Sequence, residues 1–123
     1  MISITFLLRK QPHLSDDEFH TYWREQHGPL VRSHAEALGI RRYVQLHTMD
    51  SGLGRAIAQS RECEPTGYDG IALVWFDDEA ALVAAASTPE GLAAGAALLE
   101  DEKKFLDLPN CQLWLSDDNT VVA

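Results

Sequence analysis

The stretch LSDDEF, residues 14–19, decides the fold because it marks where the first helix begins. The Ser15 hydroxyl can accept a hydrogen bond from the Glu18 amide, while the Glu18 carboxylate reaches back to the Ser15 amide. Leu14 can pack on Phe19 across this capping box as a hydrophobic staple. Two aspartates in the first turn also suit the positive end of the helix dipole. We therefore predict a helix that starts directly after Ser15.

The apolar stripe of this helix runs through residues spaced four, four, three and four apart: Phe19, Trp23, His27, Leu30 and His34. Gly28 and Pro29 interrupt the stripe, and Pro29 cannot donate a hydrogen bond to the carbonyl four residues earlier. We expect a kink or a break beside His27. Gly39 then ends the helix.

Strands are predicted on either side of this helix from alternating or β-rich patterns. Residues 2–9 form the first strand, with Ile2, Ile4, Phe6 and Leu8 on one face. Residues 40–48 form the second strand, residues 68–76 the third and residues 111–115 the fourth.

The second half of the chain also carries helical patterns. Asp77 or Asp78 caps a helix that runs to Ser87, and Thr88-Pro89-Glu90 starts another that runs to Leu106. The predicted buried stripe of that last helix consists of Leu92, Ala96, Leu99 and Leu106. Residues 49–67 are irregular and compatible with a short helix over 53–60; a segment of this length often covers a site.

The order strand, helix, two strands, helix, strand predicts an α+β domain of ferredoxin-like βαββαβ order, with an antiparallel sheet and its helices on one face. We expect one domain over residues 1–116 and a mobile acidic tail over residues 117–123. The other face of the sheet would lie bare. A second copy of the chain is the simplest cover, which predicts a symmetric homodimer.

The composition restricts the classes of partner. The formal net charge is −9, from 19 acidic and 10 basic side chains. A field of that sign repels phosphate backbones and anionic lipids, so we expect no nucleic-acid partner and no membrane partner. The N-terminal residues read as a strand rather than a signal peptide, and the two cysteines are expected to be reduced. These features predict a cytoplasmic protein.

His27 is the sharpest candidate for chemistry, because it lies on the inward stripe next to the predicted break. Partial desolvation would lower the pKa of an imidazole there and keep a neutral base available near pH 7. The alternative is a core histidine bonded to a backbone carbonyl, such as the one that Pro29 leaves free.

A polar row on the second strand gives further candidates. Tyr43, Gln45 and His47 share one face, which fits either a lined cavity or a solvent-facing edge. Asp69 lies at the head of the alternate face of the third strand, where it could orient a histidine or tyrosine or cap a turn.

Cofactor and metal motifs are absent from the sequence. The histidines lack the spacing of a metal site, so we predict no metal. No glycine-rich phosphate loop follows a strand, so we predict no nucleotide cofactor. Cys63 could serve as a nucleophile only if the fold brought it to His27, and an inert thiol is favoured.

Nearly the whole chain resembles one family. The blocks FLLRK at residues 6–10, LSDDEF at 14–19, YW at 22–23 and HGPLV at 27–31 are similar to those of the EthD family of the dimeric α+β barrel superfamily. The later blocks RYVQLH at 42–47, YDG at 68–70 and WFD at 75–77 continue the resemblance.

The resemblance implies a ligand pocket between the sheet and the helices, with one pocket in each subunit. It matches His27 to a position used for acid/base work and Tyr43 to a pocket position. The resembled family includes methylmuconolactone methylisomerase, which uses a cysteine. Cys63 is only a doubtful counterpart of that cysteine, which argues against the methylisomerase reaction for this chain.

The preferred hypothesis is a cofactor-independent lyase or isomerase, of dehydratase, cyclase or isomerase type. Its substrate would be a small oxygenated aromatic, polyketide-like or lactone compound. His27 would be the base and Tyr43 the hydrogen-bond donor to the developing enolate oxygen. The substrate-binding set would comprise Trp23, Gln45, His47, Asp69, Phe19 and Leu30. The alternatives are a non-catalytic binding or accessory protein of a catabolic pathway and, third, a monooxygenase of the wider superfamily.

Overall fold

The computed structural model describes all residues, 1–123, as an antiparallel sheet with helices on one face. The strands are β1 (Ile2–Leu8), β2 (Arg42–His47), β3 (Gly70–Phe76) and β4 (Gln112–Asp117). They are ordered β2-β3-β1-β4, and every neighbouring pair is antiparallel. This order and arrangement confirm the predicted ferredoxin-like fold.

The helices are α1 (Asp16–Tyr22), α2 (Gly28–Leu38), α3 (Gly52–Ser60), α4 (Glu79–Ala86) and α5 (Pro89–Phe105). A π-helical turn, Trp23–His27, joins α1 to α2, and a short 3₁₀ turn, Leu108–Asn110, precedes β4. No single helix is both long and apolar enough to cross a membrane; α4 and α5 reach that length and composition only together, across a 90° bend.

The predicted start of α1 is present in full. Ser15 accepts from the Glu18 amide at 3.1 Å, and Glu18 accepts from the Ser15 amide at 2.9 Å. At the other end, Gly39 adopts a left-handed conformation with φ of 70° and ends α2. Because only glycine adopts this conformation without a steric cost, the helix ends where the sequence predicted.

The predicted break beside His27 is a π-helical turn instead. The Gly28 amide donates to the Trp23 carbonyl, five residues back, and Pro29 lies in the first turn of α2, where its missing N–H costs nothing. The wider turn advances the inward face by one residue. Val31 is therefore buried at the position predicted for Leu30, which is only half-buried.

The buried stripe of α5 also differs from the prediction. Leu92 and Ala96 are exposed, whereas the helix buries Gly91, Ala94, Asp101 and Phe105. Leu99 is also exposed, and only Leu106 of the predicted set lies in the core. Alanines on every side of this helix gave no apolar contrast from which to choose a face.

The core lies between the helices and the sheet. Its fully buried side chains come from β1, the first helical segment and the end of α5: Leu8, Phe19, Trp23, Phe105 and Leu106. The Trp23 ring rests on the backbone of Gly70, where an added Cβ would stand 2.5 Å from Trp23 Cζ3.

The far face of the sheet carries no helix. By strand alternation and register it presents Ser3, Thr5, Leu7, Arg42, Val44, Leu46, Ile71, Leu73, Trp75, Gln112, Trp114 and Ser116. We call these residues the open sheet face. Leu46 and Trp114 are among the exposed large apolar side chains of the molecule.

The C-terminal tail begins later than predicted. Strand β4 continues through Asp117, and the Asp118 carboxylate accepts hydrogen bonds from Ser3 Oγ at 2.9 Å and from Trp75 Nε1 at 2.7 Å. The first two residues of the predicted tail are therefore held against the sheet.

Candidate functional site

A cavity of about 290 Å³ lies between the sheet and the helices. Of its 21 lining residues, 18 are hydrophobic, and the lining residues with polar side-chain atoms are His27, Glu102, Tyr43 and Trp23. Two of the lining residues, Leu99 and Leu113, are also exposed, so the cavity reaches the surface between α5 and β4. An apolar chamber with a few polar groups is the usual form of a small-molecule site.

His27 is placed in the cavity wall by the π-helical turn. The residue is only 5% exposed, and its ring packs on Phe105 with the ring centroids 5.0 Å apart. Its Nδ1 lies 2.7 Å from Asp101 Oδ2, and its Nε2 lies 3.9 Å from Glu102 Oε2. Neither carboxylate was identified from the sequence.

Asp101 holds the histidine in one orientation. Its other oxygen accepts a hydrogen bond of 2.5 Å from the Tyr22 hydroxyl, and Lys104 Nζ lies 3.7 Å from that oxygen. Burial acts to raise the pKa of Asp101, but the bonds from Tyr22 and His27 outweigh it, and the pKa lies below its usual value. Because an ionised carboxylate can only accept, His27 donates its Nδ1–H to Asp101.

The remaining nitrogen of His27 is available as a base. Desolvation lowers the pKa of His27 below its usual value, against the opposing effect of Asp101. The imidazole is therefore neutral at pH 7, with the proton on Nδ1 and a free electron pair on Nε2. This is the arrangement that general-base catalysis requires.

Glu102 is the second titratable group of the cavity. Burial, with a smaller contribution from the Asp101 charge, raises its pKa to about 7. Near neutral pH the cavity therefore contains a neutral histidine beside a carboxyl group that exchanges its proton readily. Two neighbouring groups with pKa values moved in opposite directions are typical of acid/base sites.

Tyr43, on β2, is a third polar lining residue of the cavity. The Tyr43 oxygen accepts from Trp23 Nε1 and from Gln45 Nε2, both at 3.2 Å. Desolvation, the largest effect, raises the pKa of Tyr43, so the hydroxyl keeps its proton. Since the hydroxyl oxygen accepts two hydrogen bonds within the protein and no acceptor for its own hydrogen lies within bonding distance, that hydrogen is left to donate to a ligand.

The other two residues of the polar row, Gln45 and His47, form a chain of hydrogen bonds that begins at the Tyr43 hydroxyl. Gln45 Nε2 also donates to the Trp23 carbonyl at 2.8 Å, which fixes the orientation of the amide. Gln45 Oε1 then accepts from His47 Nε2 at 2.9 Å, and His47 Nδ1 accepts from His20 Nδ1 at 2.7 Å. Burial and the charges of Arg24 and His20 lower the pKa of His47 to about 4, so its ring is neutral as this chain requires.

The structure separates the predicted site residues into two groups. His27, Tyr43 and Trp23 line the cavity, with Gln45 and His47 behind them. Phe19 is buried against Trp23 and Phe105 in the core, and neither it nor Leu30 lines the cavity. The inward row on β2 thus lies under the helices rather than at a solvent-facing edge.

Asp69 and Cys63 lie away from the cavity. Asp69 accepts from the Lys10 amide at 2.8 Å, a bond across 59 residues of sequence that joins the start of β3 to the segment after β1. This is neither an orienting contact with a histidine or tyrosine nor a turn cap. Cys63 is exposed in the segment after α3. No three His, Cys, Asp or Glu side chains are grouped so that they could share a metal ion.

A weak sequence signal for the two missed carboxylates does exist. Positions 91, 94, 98, 101 and 105 are spaced three, four, three and four apart, as on one helix face. That stripe passes through Asp101 and beside Glu102. The acid within this stripe does not identify the site by itself, because the alanines and glycines of the helix give its other faces a similar apolar character.

Known structures share this fold over nearly their whole length. An EthD family protein from Bacillus halodurans superposes with a TM-score of 0.62 at 21% identity, over 97% of this chain and 100% of that one. A dimeric ferredoxin-like protein of unknown function from Thermobifida fusca gives 0.55 at 18%, over 94% and 88%. SnoaB, a cofactor-independent oxygenase from Streptomyces nogalater, gives 0.52 at 17%, over 98% and 96%.

The sequence comparison identifies the family. No curated protein sequence matches the chain significantly. The sequence pattern of the EthD domain, however, matches residues 11–109, which include the first helix, the π-helical turn, the polar row of β2 and both carboxylates of α5. The chain belongs to the EthD domain family.

Proposed function

We propose that this protein is a cofactor-independent enzyme that moves protons on a small, largely apolar, oxygenated compound. The substrate would be aromatic, polyketide-like or a lactone, and the reaction would be a lyase or isomerase reaction. The observation that carries the proposal is the buried His27–Asp101 pair, whose free Nε2 faces an apolar cavity. SnoaB, with the same fold, is a relative that works without a cofactor.

The chemistry begins with His27. Its Nε2 takes a proton from a carbon next to a carbonyl, and the electron pair of that C–H bond moves onto the carbonyl oxygen. Tyr43 donates its hydrogen bond to this developing enolate oxygen. Asp101 stabilises the imidazolium that forms, because it already accepts the Nδ1–H.

The proton then returns from His27 to complete either reaction. In an isomerase it returns to a different atom of the enolate, so one C–H bond is replaced by a new C–H or O–H bond and the double bond changes position. In a dehydratase the enolate electrons expel a β-hydroxyl group, which leaves as water with that same proton. Both courses balance without an oxidant or a reductant.

The proposal is tested by measuring how fast the α-protons of candidate substrates exchange for deuterium in deuterated water. A panel of aryl ketones and lactones is incubated with the protein, and loss of the α-proton signal is followed by NMR. We expect exchange above the buffer rate for at least one compound, with His27→Ala and His27→Gln slower by about a hundredfold or more. Glutamine should rescue little because an amide cannot take up the proton.

His34→Gln is the matched control, because His34 lies on α2 and does not line the cavity. Its rate should equal that of the unchanged protein. The proposal would be contradicted if His27→Gln exchanged α-protons as fast as the unchanged protein, or if no compound exchanged faster than in buffer alone. Loss of fold in the His27 variants is checked by melting.

A non-catalytic binding or accessory role is the second candidate, and the apolar lining of the cavity favours it. A binding protein would hold the same compounds without exchange of their α-protons. In that case His27→Ala should cost about 1–3 kcal/mol of stability through the unpaired Asp101 while ligand affinity is nearly unchanged. Melting and binding measured together on this variant separate the two functions.

The homodimer is part of the same proposal. The open sheet face has exposed Leu46 and Trp114, and the Thermobifida fusca protein of the same fold is dimeric. Association through this face would place two sheets face to face and leave one cavity in each subunit.

A further inference from the structure

Charge is distributed very unevenly around the cavity. None of its 21 lining residues is a lysine or an arginine, although the chain has 10 of them. The only lining carboxylate is Glu102, whose side chain is 19% exposed. The nearest cation on α5, Lys104, is directed to Asp101 rather than to Glu102.

A second carboxylate strengthens the negative field. Asp101 is 8% exposed, and its ionised form is favoured by the hydrogen bonds from Tyr22 and His27. An anion that entered the cavity would lose its hydration, meet Glu102 and find no lysine or arginine in the lining; Asp101 does not line the cavity and acts from behind His27, with Lys104 3.7 Å from its other oxygen. His27 cannot supply that partner at pH 8, because burial keeps its ring neutral.

An uncharged ligand with a carbonyl or hydroxyl group is not repelled by these carboxyl groups and finds hydrogen-bond partners in the cavity. A carbonyl oxygen can accept from Tyr43, and a hydroxyl group can also donate to Glu102 or to His27 Nε2. The remaining surface of such a ligand contacts the 18 hydrophobic residues. At about 290 Å³ the space suits a small ring system.

We infer that Glu102 is a specificity-determining residue, which restricts the cavity to uncharged ligands with a carbonyl or hydroxyl group at one end and rejects the corresponding carboxylates. This inference shares its cavity with the proposed function but concerns binding alone. It can therefore be tested by binding measurements, independently of the proposed reaction.

The test compares 2-acetylnaphthalene with 2-naphthoate, which have the same ring system and differ in charge. Binding to the full chain is measured at pH 8 by calorimetry and by Trp fluorescence. We expect the ketone to bind at least about tenfold more tightly than the carboxylate, a difference of about 1.4 kcal/mol. Glu102 is ionised at that pH, since its pKa is raised to about 7.

Two variants identify the residue responsible. Glu102→Gln should narrow the ratio of the two affinities severalfold, because it removes the negative charge and keeps the shape. Glu100→Gln, an exposed position on the same helix with the same charge change, should leave the ratio unchanged. A ratio that Glu102→Gln does not change would overturn the inference, as would equal affinities in the unchanged protein or no binding of either compound.

The outcomes also separate this inference from the proposed reaction. Selective binding of the ketone, with a ratio that depends on Glu102 but with no α-proton exchange, supports the inference and contradicts the catalytic proposal. Proton exchange on a carboxylate substrate as fast as on its ketone analogue would overturn the inference and support catalysis.

Discussion

His27 Nδ1 lies 2.7 Å from Asp101 Oδ2, and this single contact joins the π-helical turn to α5 across 74 residues of sequence. It determines which nitrogen of the imidazole carries the proton and which one faces the cavity. Without the carboxylate, the ring could present Nε2–H and lose its ability to accept a proton from the substrate. The function of His27 therefore depends on a residue that lies far away in sequence.

Asp101→Asn should remove this control while keeping the shape of the side chain. The amide can hydrogen-bond Nδ1 either as donor or as acceptor, and it no longer stabilises the imidazolium. We expect proton exchange to fall by about a hundredfold or more with the fold retained. NMR of the imidazole nitrogens should show a larger share of the Nε2–H tautomer. An unchanged tautomer and an unchanged rate would show that Asp101 has only a packing role.

Gly70→Ala should destabilise the protein through a steric clash in the core. The added Cβ would stand 2.5 Å from Trp23 Cζ3 and 3.0 Å from the Leu46 carbonyl oxygen. Since Trp23 is fully buried, the ring cannot move without disturbing the site, and we expect a loss of about 1–3 kcal/mol. Gly95→Ala is the matched control, because nothing lies within 4 Å of its added Cβ and alanine favours the helix. Chemical denaturation that shows equal stabilities for the two variants would contradict this account.

The sequence contained most of the information for the first half of the fold. The capping box at Ser15 and the end of α2 at Gly39 were predicted, because each depends on a local pattern of a few residues. The polar row on β2 was also recognised, but the sequence did not decide between a cavity wall and a solvent-facing edge. The disturbance at Pro29 was also predicted. Its form was not, because a break and a π-helical turn both leave Pro29 free of an internal hydrogen bond.

The acidic half of the site could not be predicted in the same way. Asp101 and Glu102 lie in a helix whose alanines and glycines make every face similarly apolar, so the buried face is chosen by packing against α2 and the sheet. The distance between His27 and Asp101 likewise arises from tertiary structure alone. Leu30 was placed on the inward face because α-helical spacing was carried through residues 23–27, which form the π-helical turn.

Dimerisation can be tested on the open sheet face. Light scattering at micromolar concentration should give twice the 13.7 kDa mass of the chain. Trp114→Glu should give a monomer, because it replaces an exposed apolar ring of the open sheet face, on the edge strand β4, with a charge that the partner would have to cover. Val83→Glu, at an exposed position on α4, should leave the dimer intact. A monomer in the unchanged protein would contradict the proposed pairing of two sheets.

The stability of Glu102→Gln relative to the unchanged protein should increase with pH. Burial raises the pKa of Glu102 from 4.5 to about 7, so the folded chain holds this proton more tightly than the unfolded chain does. Stability is therefore lost as pH rises from about 4.5 to about 7, and the loss is complete above that range. At 1.36 kcal/mol per pKa unit, the loss is on the order of 3 kcal/mol. The glutamine side chain does not ionise, so Glu102→Gln does not lose this stability as the pH rises.

His27 and His47 have the opposite effect, since their lowered pKa values reduce stability as pH falls below about 6.5. Both histidines are present in Glu102→Gln and in the unchanged protein. Most of their contribution therefore cancels when the unfolding free energies of the two proteins are subtracted. Denaturant unfolding at pH 4.5, 6, 7 and 8 should show this difference growing in favour of the variant, while Glu100→Gln shows no such trend. A difference that stays constant over this range would mean that Glu102 is solvated, and the charge selection inferred for the cavity would lose its physical basis.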